Sequence, residues 1–314
     1  MVLFPVMEEH PPKTDGNSRS TSPSAYIVEP SSVHVHSVIL LHGLGSNGTK
    51  FGTELLETGI RSDGASLRQL LPSARFIFPT AKRRRSSAFR RTRLTQWFDI
   101  ASLDDPSYRN HTQIQGLEES YLEIREILAQ EISKVSARNV ILGGLSQGLA
   151  VGAISLLAME HPIGGFIGMS GWMPFRQDIH SLVTGEGPAD DEDNPFGEEG
   201  DVSSTSEARE PAEQEPIIKA ANFVRDLLSV AGIPISTASQ TAIDTPIFLG
   251  HGSADSKITL ELGEDVRTTL KAIGFKVRWE VYREQGHWYK VPDEIDDITD
   301  FIGKTVGWVL EETA

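Results

Sequence analysis

Asn139-Val140-Ile141-Leu142-Gly143-Gly144-Leu145-Ser146-Gln147-Gly148 opens the stretch on which the reading of this chain turns. Asn139 to Leu142 is a short apolar run suited to a buried strand. Leu149 to Met159, rich in Ala, Leu and Ile, reads as a helix. Between them, Gly144-Leu145-Ser146-Gln147-Gly148 follows the pattern Gly-x-Ser-x-Gly at a strand-to-helix turn, the nucleophile elbow. Such a turn strains the serine backbone, needs small neighbours, and points the hydroxyl and the next amide into the same space. The pentapeptide alone recurs by chance; the strand before it and the helix after it give it weight.

Outward from the elbow, apolar runs alternate with helical patterns. Val38 to Leu41 reads as a buried strand ending at His42-Gly43-Leu44-Gly45, and Arg75 to Phe78 as a second strand stopped by Pro79. Leu117, Tyr121, Ile124, Leu128 and Ile132 recur at helical spacing. Gly165 to Met169, Pro246 to Leu249 and Lys276 to Tyr282 supply further strands, and Ile295, Ile298, Ile302 and Val309 a closing amphipathic helix. Strands separated by helices predict an α/β fold with a mainly parallel central sheet covered on both faces. We expect a polar, disordered leader over residues 1–24 and one domain over 25–314. An acidic insertion at about 178–216 breaks the rhythm, and a helix at 217–230 is a candidate lid over the elbow.

The chain has 314 residues, no cysteine and a net charge of −15. Disulfides, thiolate metal sites and a cysteine nucleophile are therefore excluded. The charge is concentrated: twelve carboxylates against Arg209 give −11 within 186–215, leaving −4 elsewhere. An acidic surface argues against nonspecific nucleic-acid binding, which depends on neutralising phosphates. The opposite block runs from Lys82 to Arg93, where seven Lys and Arg residues occur with no acid among them, and reads as a solvated basic loop. No apolar stretch approaches the roughly 20 residues of a membrane span, and Met1 to Ser24 does not resemble a secretory signal. These features predict a cytoplasmic protein, with nuclear import the alternative use of the basic block.

A serine hydroxyl is a weak nucleophile and needs a base, commonly a histidine held by a carboxylate. In this fold the three occur in the order Ser, acid, His. Ile247 to Asp255 places Asp255 in the loop after one strand, and Val281 to His287 places His287 after the next. Asp244, Asp293 and Glu284 are alternative acids; Asp255 is preferred because a short Gly-Ser-Ala loop presents it beyond a strand. His251 and His42 read as structural. The oxyanion hole needs two donors: the Gln147 amide, and an amide from the loop after the early strand, for which we choose Leu44 with Gly43 or Gly45 as neighbours.

The motifs Leu41-His42-Gly43-Leu44-Gly45, Gln96-Trp97-Phe98-Asp99, Gly144-Leu145-Ser146-Gln147-Gly148, His251-Gly252-Ser253-Ala254-Asp255 and Gly286-His287 then occur in one order across residues 38 to 310. In these the chain resembles the acyl-protein thioesterase, or phospholipase/carboxylesterase, family of α/β-hydrolases, in a fungal-type form. The resemblance implies Ser146, Asp255 and His287 as triad, the Leu44 and Gln147 amides as oxyanion hole, and no metal or organic cofactor. It implies an acyl ester or thioester substrate, on a lipidated protein or a lysophospholipid. By it, Trp97 and Phe98 bind or support the acyl group, and Asp99 holds its loop. Two departures stand out: the chain has no cysteine to carry an anchoring acyl group, and so no stable membrane anchor is read, and the acidic insertion and basic block are enlarged. Oligomeric state, chain length and leaving group are not legible. A noncatalytic binding protein on the same scaffold is the reading from a different class.

Overall fold

The computed structural model describes residues 25–186 and 214–311; the leader and residues 187–213 of the acidic insertion lie outside the described residues. Strands β1 (Ala25–Val28), β2 (His36–Leu41), β3 (Ala74–Pro79), β6 (Val140–Leu145), β7 (Gly165–Met169), β8 (Ile247–Gly252) and β9 (Val277–Tyr282) form one sheet in the order β1-β3-β2-β6-β7-β8-β9. Only β1 is antiparallel to its neighbour; every other pair is parallel. A second, two-stranded sheet pairs β4 (Arg83–Arg85) with β5 (Arg93–Thr95).

The apolar runs are continuous because the sheet is buried on both faces, so successive side chains enter opposite cores. Ile39, Leu41, Val140 and Leu142 join one core with Leu117 and Ile124 of α3 (Ile114–Ile132), Leu149 and Ala153 of α4 (Gln147–Leu157), and Val266 of α7 (Leu260–Ile273). Val38, Leu40, Ile141 and Phe248 join the other. There they meet Phe51 and Leu55 of α1 (Gly48–Thr58), Leu67 of the short α2 (Leu67–Leu70), and Ile295 of α8 (Asp293–Asp300), which runs on as a π-helical turn over 301–306.

From β2 the chain steps outward to β3 in one direction, whereas from β6 it steps to β7 in the other. The connections leaving these two adjacent strands therefore cover opposite faces, α1 on one and α4 on the other. Their carboxyl ends form the switch point of the sheet, the place where ligands bind in open α/β sheets. Leu44 and Ser146 follow those two strand ends.

Three segments differ from expectation. Helix α5 (Arg176–Thr184) occupies the first residues of the stretch read as insertion, burying Ile179 and Val183. Helix α6 (Pro216–Leu227) buries Ile217, Ile218, Ala221 and Val224 in the core shared with α4. Its Arg225 bonds the Ala158 carbonyl and Glu160 just past the C-terminal end of α4, remote from Ser146, so this helix does not lie over the elbow. The basic block is no free loop: it forms the β4–β5 hairpin, and Lys82 and Arg84 pair with Glu123 and Glu119 of α3 at 2.6 and 2.8 Å.

Candidate active site

Ser146 stands between the last residue of β6 and the first of α4, at φ 58° and ψ −118°, a conformation that strains any residue with a side chain. The sequence supports it by omission. A Cβ on Gly148 would overlap the Leu41 carbonyl, and one on Gly144 would overlap the Gly148 backbone. The Ser146 N–H donates to the Met169 carbonyl of β7 at 2.9 Å, which ties the turn to the neighbouring strand end.

Asp255 and His287 arrive from the next strand ends. His287 Nε2 lies 3.0 Å from Ser146 Oγ, and His287 Nδ1 lies 2.7 Å from Asp255 Oδ2. Because an ionised carboxylate only accepts, Nδ1 donates to Asp255, and Nε2 is left to accept the serine proton. Asp255 Oδ1 takes the Lys257 and Ile258 N–H groups at 2.9 and 3.0 Å. Burial alone would raise its carboxyl, but the bond from His287 and the two backbone donors outweigh it and hold the group below the usual range. Ser146 is 7% exposed and the His287 side chain 14%, so both reach solvent only slightly.

The alternative acids are elsewhere: Asp244, Asp293 and Glu284 are exposed, and none bonds His287. His251 is buried, donates Nε2–H to the Ile258 carbonyl at 2.9 Å, and backs the Asp255 loop. His42 uses both nitrogens: Nδ1–H donates to the Gly43 carbonyl at 2.8 Å, and Nε2 accepts the Ala81 N–H at 3.1 Å. Burial, partly offset by the Gly43 bond, lowers it to about 4, so it is a neutral strut.

The loop after β2 backs directly onto the serine. A Cβ on Gly43 would sit 3.4 Å from Ser146 Cβ and 3.9 Å from Oγ. The Gln147 N–H begins α4 and so has no acceptor within the helix. Among the described residues no hydrogen bond engages the Leu44 N–H. Its neighbour Gly45 donates to the Thr95 carbonyl at 2.8 Å, fastening this loop to the basic hairpin.

Trp97 and Phe98 are fully buried, 1% and 0% exposed. The Trp97 Nε1–H donates to the His42 carbonyl at 2.8 Å, and its own carbonyl accepts from Ser120 Oγ at 2.6 Å. Phe98 stacks edge-on against Trp172. Asp99 accepts from Ser87 and holds its loop. Sequence reasoning missed the Gln147 side chain, whose amide bonds both the Trp97 N–H and the Phe98 carbonyl. An amide at the residue after the serine was the one signal available for it.

A sheet whose strand ends bring together a strained serine, a histidine and a buried carboxylate, in that chemical order, defines an α/β-hydrolase. Residues 22–188 match the phospholipase/carboxylesterase family model, and the chain belongs to that family. It is a hydrolase of the carboxylic-ester class. The chain is 25% identical over 276 residues to acyl-protein thioesterase 1 of Gibberella zeae, covering 87% of this chain and 92% of that protein. It is 25% identical over 279 residues to acyl-protein thioesterase 1 of Saccharomyces cerevisiae, with coverages of 86% and 92%. Zea mays acyl-protein thioesterase 2 shares the fold with a TM-score of 0.60 at 23% identity, covering 91% of this chain and 100% of that one. The family match ends before Asp255 and His287, so their assignment rests on geometry.

Proposed function

We propose that the protein is a serine hydrolase that cleaves acyl thioesters or esters through an acyl-enzyme, with Ser146 as nucleophile, His287 as base and Asp255 as its orienting acid. The observation that carries this reading is the unbroken relay of 3.0 Å from Ser146 Oγ to His287 Nε2 and 2.7 Å from Nδ1 to Asp255. His287 takes the serine proton as Oγ attacks the acyl carbonyl, and Asp255 stabilises the imidazolium. The Gln147 and Leu44 N–H groups, which no hydrogen bond engages among the described residues, donate to the developing oxyanion. Collapse passes the proton from His287 to the leaving thiolate or alkoxide. Water, deprotonated by the same histidine, then releases the carboxylic acid and restores Ser146. Trp97 and Phe98 act as supports of the oxyanion loop rather than as substrate contacts, consistent with their burial.

For the substrate class, an S-acylated protein is favoured over a lysophospholipid by the relatives, which are named acyl-protein thioesterases. No helix of the described residues is long and apolar enough to cross a membrane. The activity is assigned to the cytoplasm, following the sequence expectation. The test is turnover of matched thioesters and oxyesters by wild type and Ser146→Ala, with a serine-reactive phosphonate as label. Ser146→Ala should lose at least about 10⁴-fold in kcat and all labelling while keeping its thermal melt. A variant that retained most of its turnover would remove Ser146 from the mechanism, and an unreactive wild-type serine would favour a noncatalytic scaffold.

A further inference from the structure

His287 lies in the connection between β9 and α8, and the two halves of that connection are held differently. Upstream, the Glu284 N–H donates to Ser253 Oγ at 3.0 Å and the Ala254 N–H donates to the Gln285 carbonyl at 2.9 Å. The upstream half is thereby tied to the loop that carries Asp255. Downstream, Tyr289 shares a 2.8 Å hydroxyl bond with Thr58 of α1. A second tie joins the halves, Gln285 Nε2–H donating to the Trp288 carbonyl at 3.2 Å. A third is reciprocal: the Lys290 N–H donates to Glu294 Oε2 at 2.9 Å, and the Glu294 N–H donates to the Lys290 carbonyl at 2.9 Å.

Glu294 is an unusual residue for that place. It is 1% exposed, and Oε1 has no hydrogen-bond partner among the described residues. Oε1 is packed so tightly on β8 that a Cβ on Gly250 would overlap it. Gly250 directly precedes His251, on the strand that delivers Asp255.

We propose that Glu294 is a positioning residue for His287: its carboxyl fixes the downstream half of the histidine loop by accepting the Lys290 N–H. The groups that face it support an uncharged state. From β9 come Tyr282, whose hydroxyl is spent on Asp297 at 2.9 Å, and Glu280 and Arg278; from α8 comes Asp297; from the loop comes Tyr289. The one cation among them, Arg278, is taken up by Glu280, Asp297 and Asp300 at 2.9, 2.6 and 2.9 Å, and no ion pair engages Glu294 among the described residues. Burial pushes Glu294 up to about 8; the Lys290 N–H pulls against this, and the Asp297 carboxylate adds to it. Above that pH the side chain becomes a buried anion without a counter-ion, which draws in water and loosens the turn that orients His287.

The inference rests on His287 being the base, so His287→Ala is assayed in parallel. The experiment is kcat and KM against pH for wild type, Glu294→Gln and Glu294→Leu, with thermal melts of each. Glutamine keeps the acceptor for Lys290 and does not titrate. Its kcat at pH 7 should stay within about twofold of wild type, while the wild-type fall in kcat above about pH 8 is lost. Leucine removes the acceptor, and kcat should fall by about 10- to 100-fold with KM nearly constant, as expected for a displaced base. A glutamine profile superposing on wild type, or a folded leucine variant with wild-type kcat, overturns the proposal. If the leucine variant does not fold, the glutamine profile decides. An active His287→Ala rejects the site assignment instead; an inactive one confines either negative result to Glu294.

Discussion

The Gln147 side chain accepts the Trp97 N–H at 3.0 Å and donates to the Phe98 carbonyl at 2.8 Å, so the residue after the serine is locked to the segment it faces. Trp97 passes the constraint on through its indole N–H to the His42 carbonyl, one residue before Gly43. The two amides we assign to the oxyanion hole, on Gln147 and Leu44, thus belong to one hydrogen-bonded frame although they sit 103 residues apart in the chain. An oxyanion hole works by holding its donors still before charge develops. This frame ties the segments that carry both donors to one another.

Breaking the frame should damage turnover more than binding. Gln147→Leu leaves the Trp97 N–H and the Phe98 carbonyl buried and unpaired, at a cost of about 1–3 kcal/mol each. We expect kcat to fall by about 10- to 100-fold with KM changed little. Trp97→Phe orphans the His42 carbonyl and leaves a small cavity where the indole packed, but it spares both Gln147 bonds, and should be milder for turnover. Steady-state kinetics on one thioester decides: a rise in KM at constant kcat would instead make this segment a substrate contact.

Asp255 and Asp244 separate orientation from mere charge. Asp255 accepts three hydrogen bonds, one of them from His287, whereas Asp244 is exposed. Asp255→Asn presents an amide N–H or a weaker acceptor to Nδ1 and favours the wrong tautomer, so kcat should drop by about 10⁴. Asp244→Asn should be silent. Similar losses in both variants would leave the acid unassigned.

Two glycines should fail in different ways when replaced by alanine. At Gly148 the new Cβ would overlap the Leu41 carbonyl, a backbone atom of the central sheet, so Gly148→Ala should destabilise the fold severely. At Gly43 the Cβ meets only ordinary contacts, 3.4 Å from Ser146 Cβ and 3.9 Å from Oγ. Gly43→Ala should therefore melt within a few degrees of wild type while losing activity, because the methyl group occupies space beside the nucleophile. Thermal melts and specific activity measured on the same samples check both.

Much of this architecture could be read beforehand because buried parallel strands leave apolar runs and the elbow needs glycines. The strands containing Ile39, Ile141, Ile167 and Phe248, and the placement of Ser146, Asp255 and His287 beyond strand ends, follow from such local signals. What escaped has little local signal. Ala25–Val28 pairs as an edge strand through backbone bonds to β3; its Tyr26-Ile27-Val28 run suits a strand, but four residues are too few to show a period. The basic hairpin looked like a free loop because Glu119 and Glu123, which neutralise part of it, lie more than 30 residues away on α3. Helix α6 carries an apolar stripe that would suit a lid or a core equally, and only the position of α4 distinguishes them. Glu294 carries no local signal of its own: its burial becomes visible only once β8 is packed behind it.

His42 predicts a specific acid sensitivity. Burial holds its folded-state value at about 4, against about 6.5 in an unfolded chain. Between these values the unfolded chain takes up a proton that the folded protein refuses. Stability from this group is therefore intact above about pH 6.5 and is lost as pH falls toward 4, by an amount on the order of 3 kcal/mol. Below about 4 the imidazole charges in place, and the Nε2 that accepts the Ala81 N–H becomes a donor, so that bond is lost and the loop carrying Gly43 and Leu44 loosens. His42→Gln offers a donor and an acceptor but does not titrate. Urea unfolding at pH 7 and pH 4 should show wild type losing on the order of 3 kcal/mol more than His42→Gln over that interval. Parallel losses in the two proteins would mean that His42 is already charged in the folded state, and that the strut beneath the oxyanion loop is not the neutral one described.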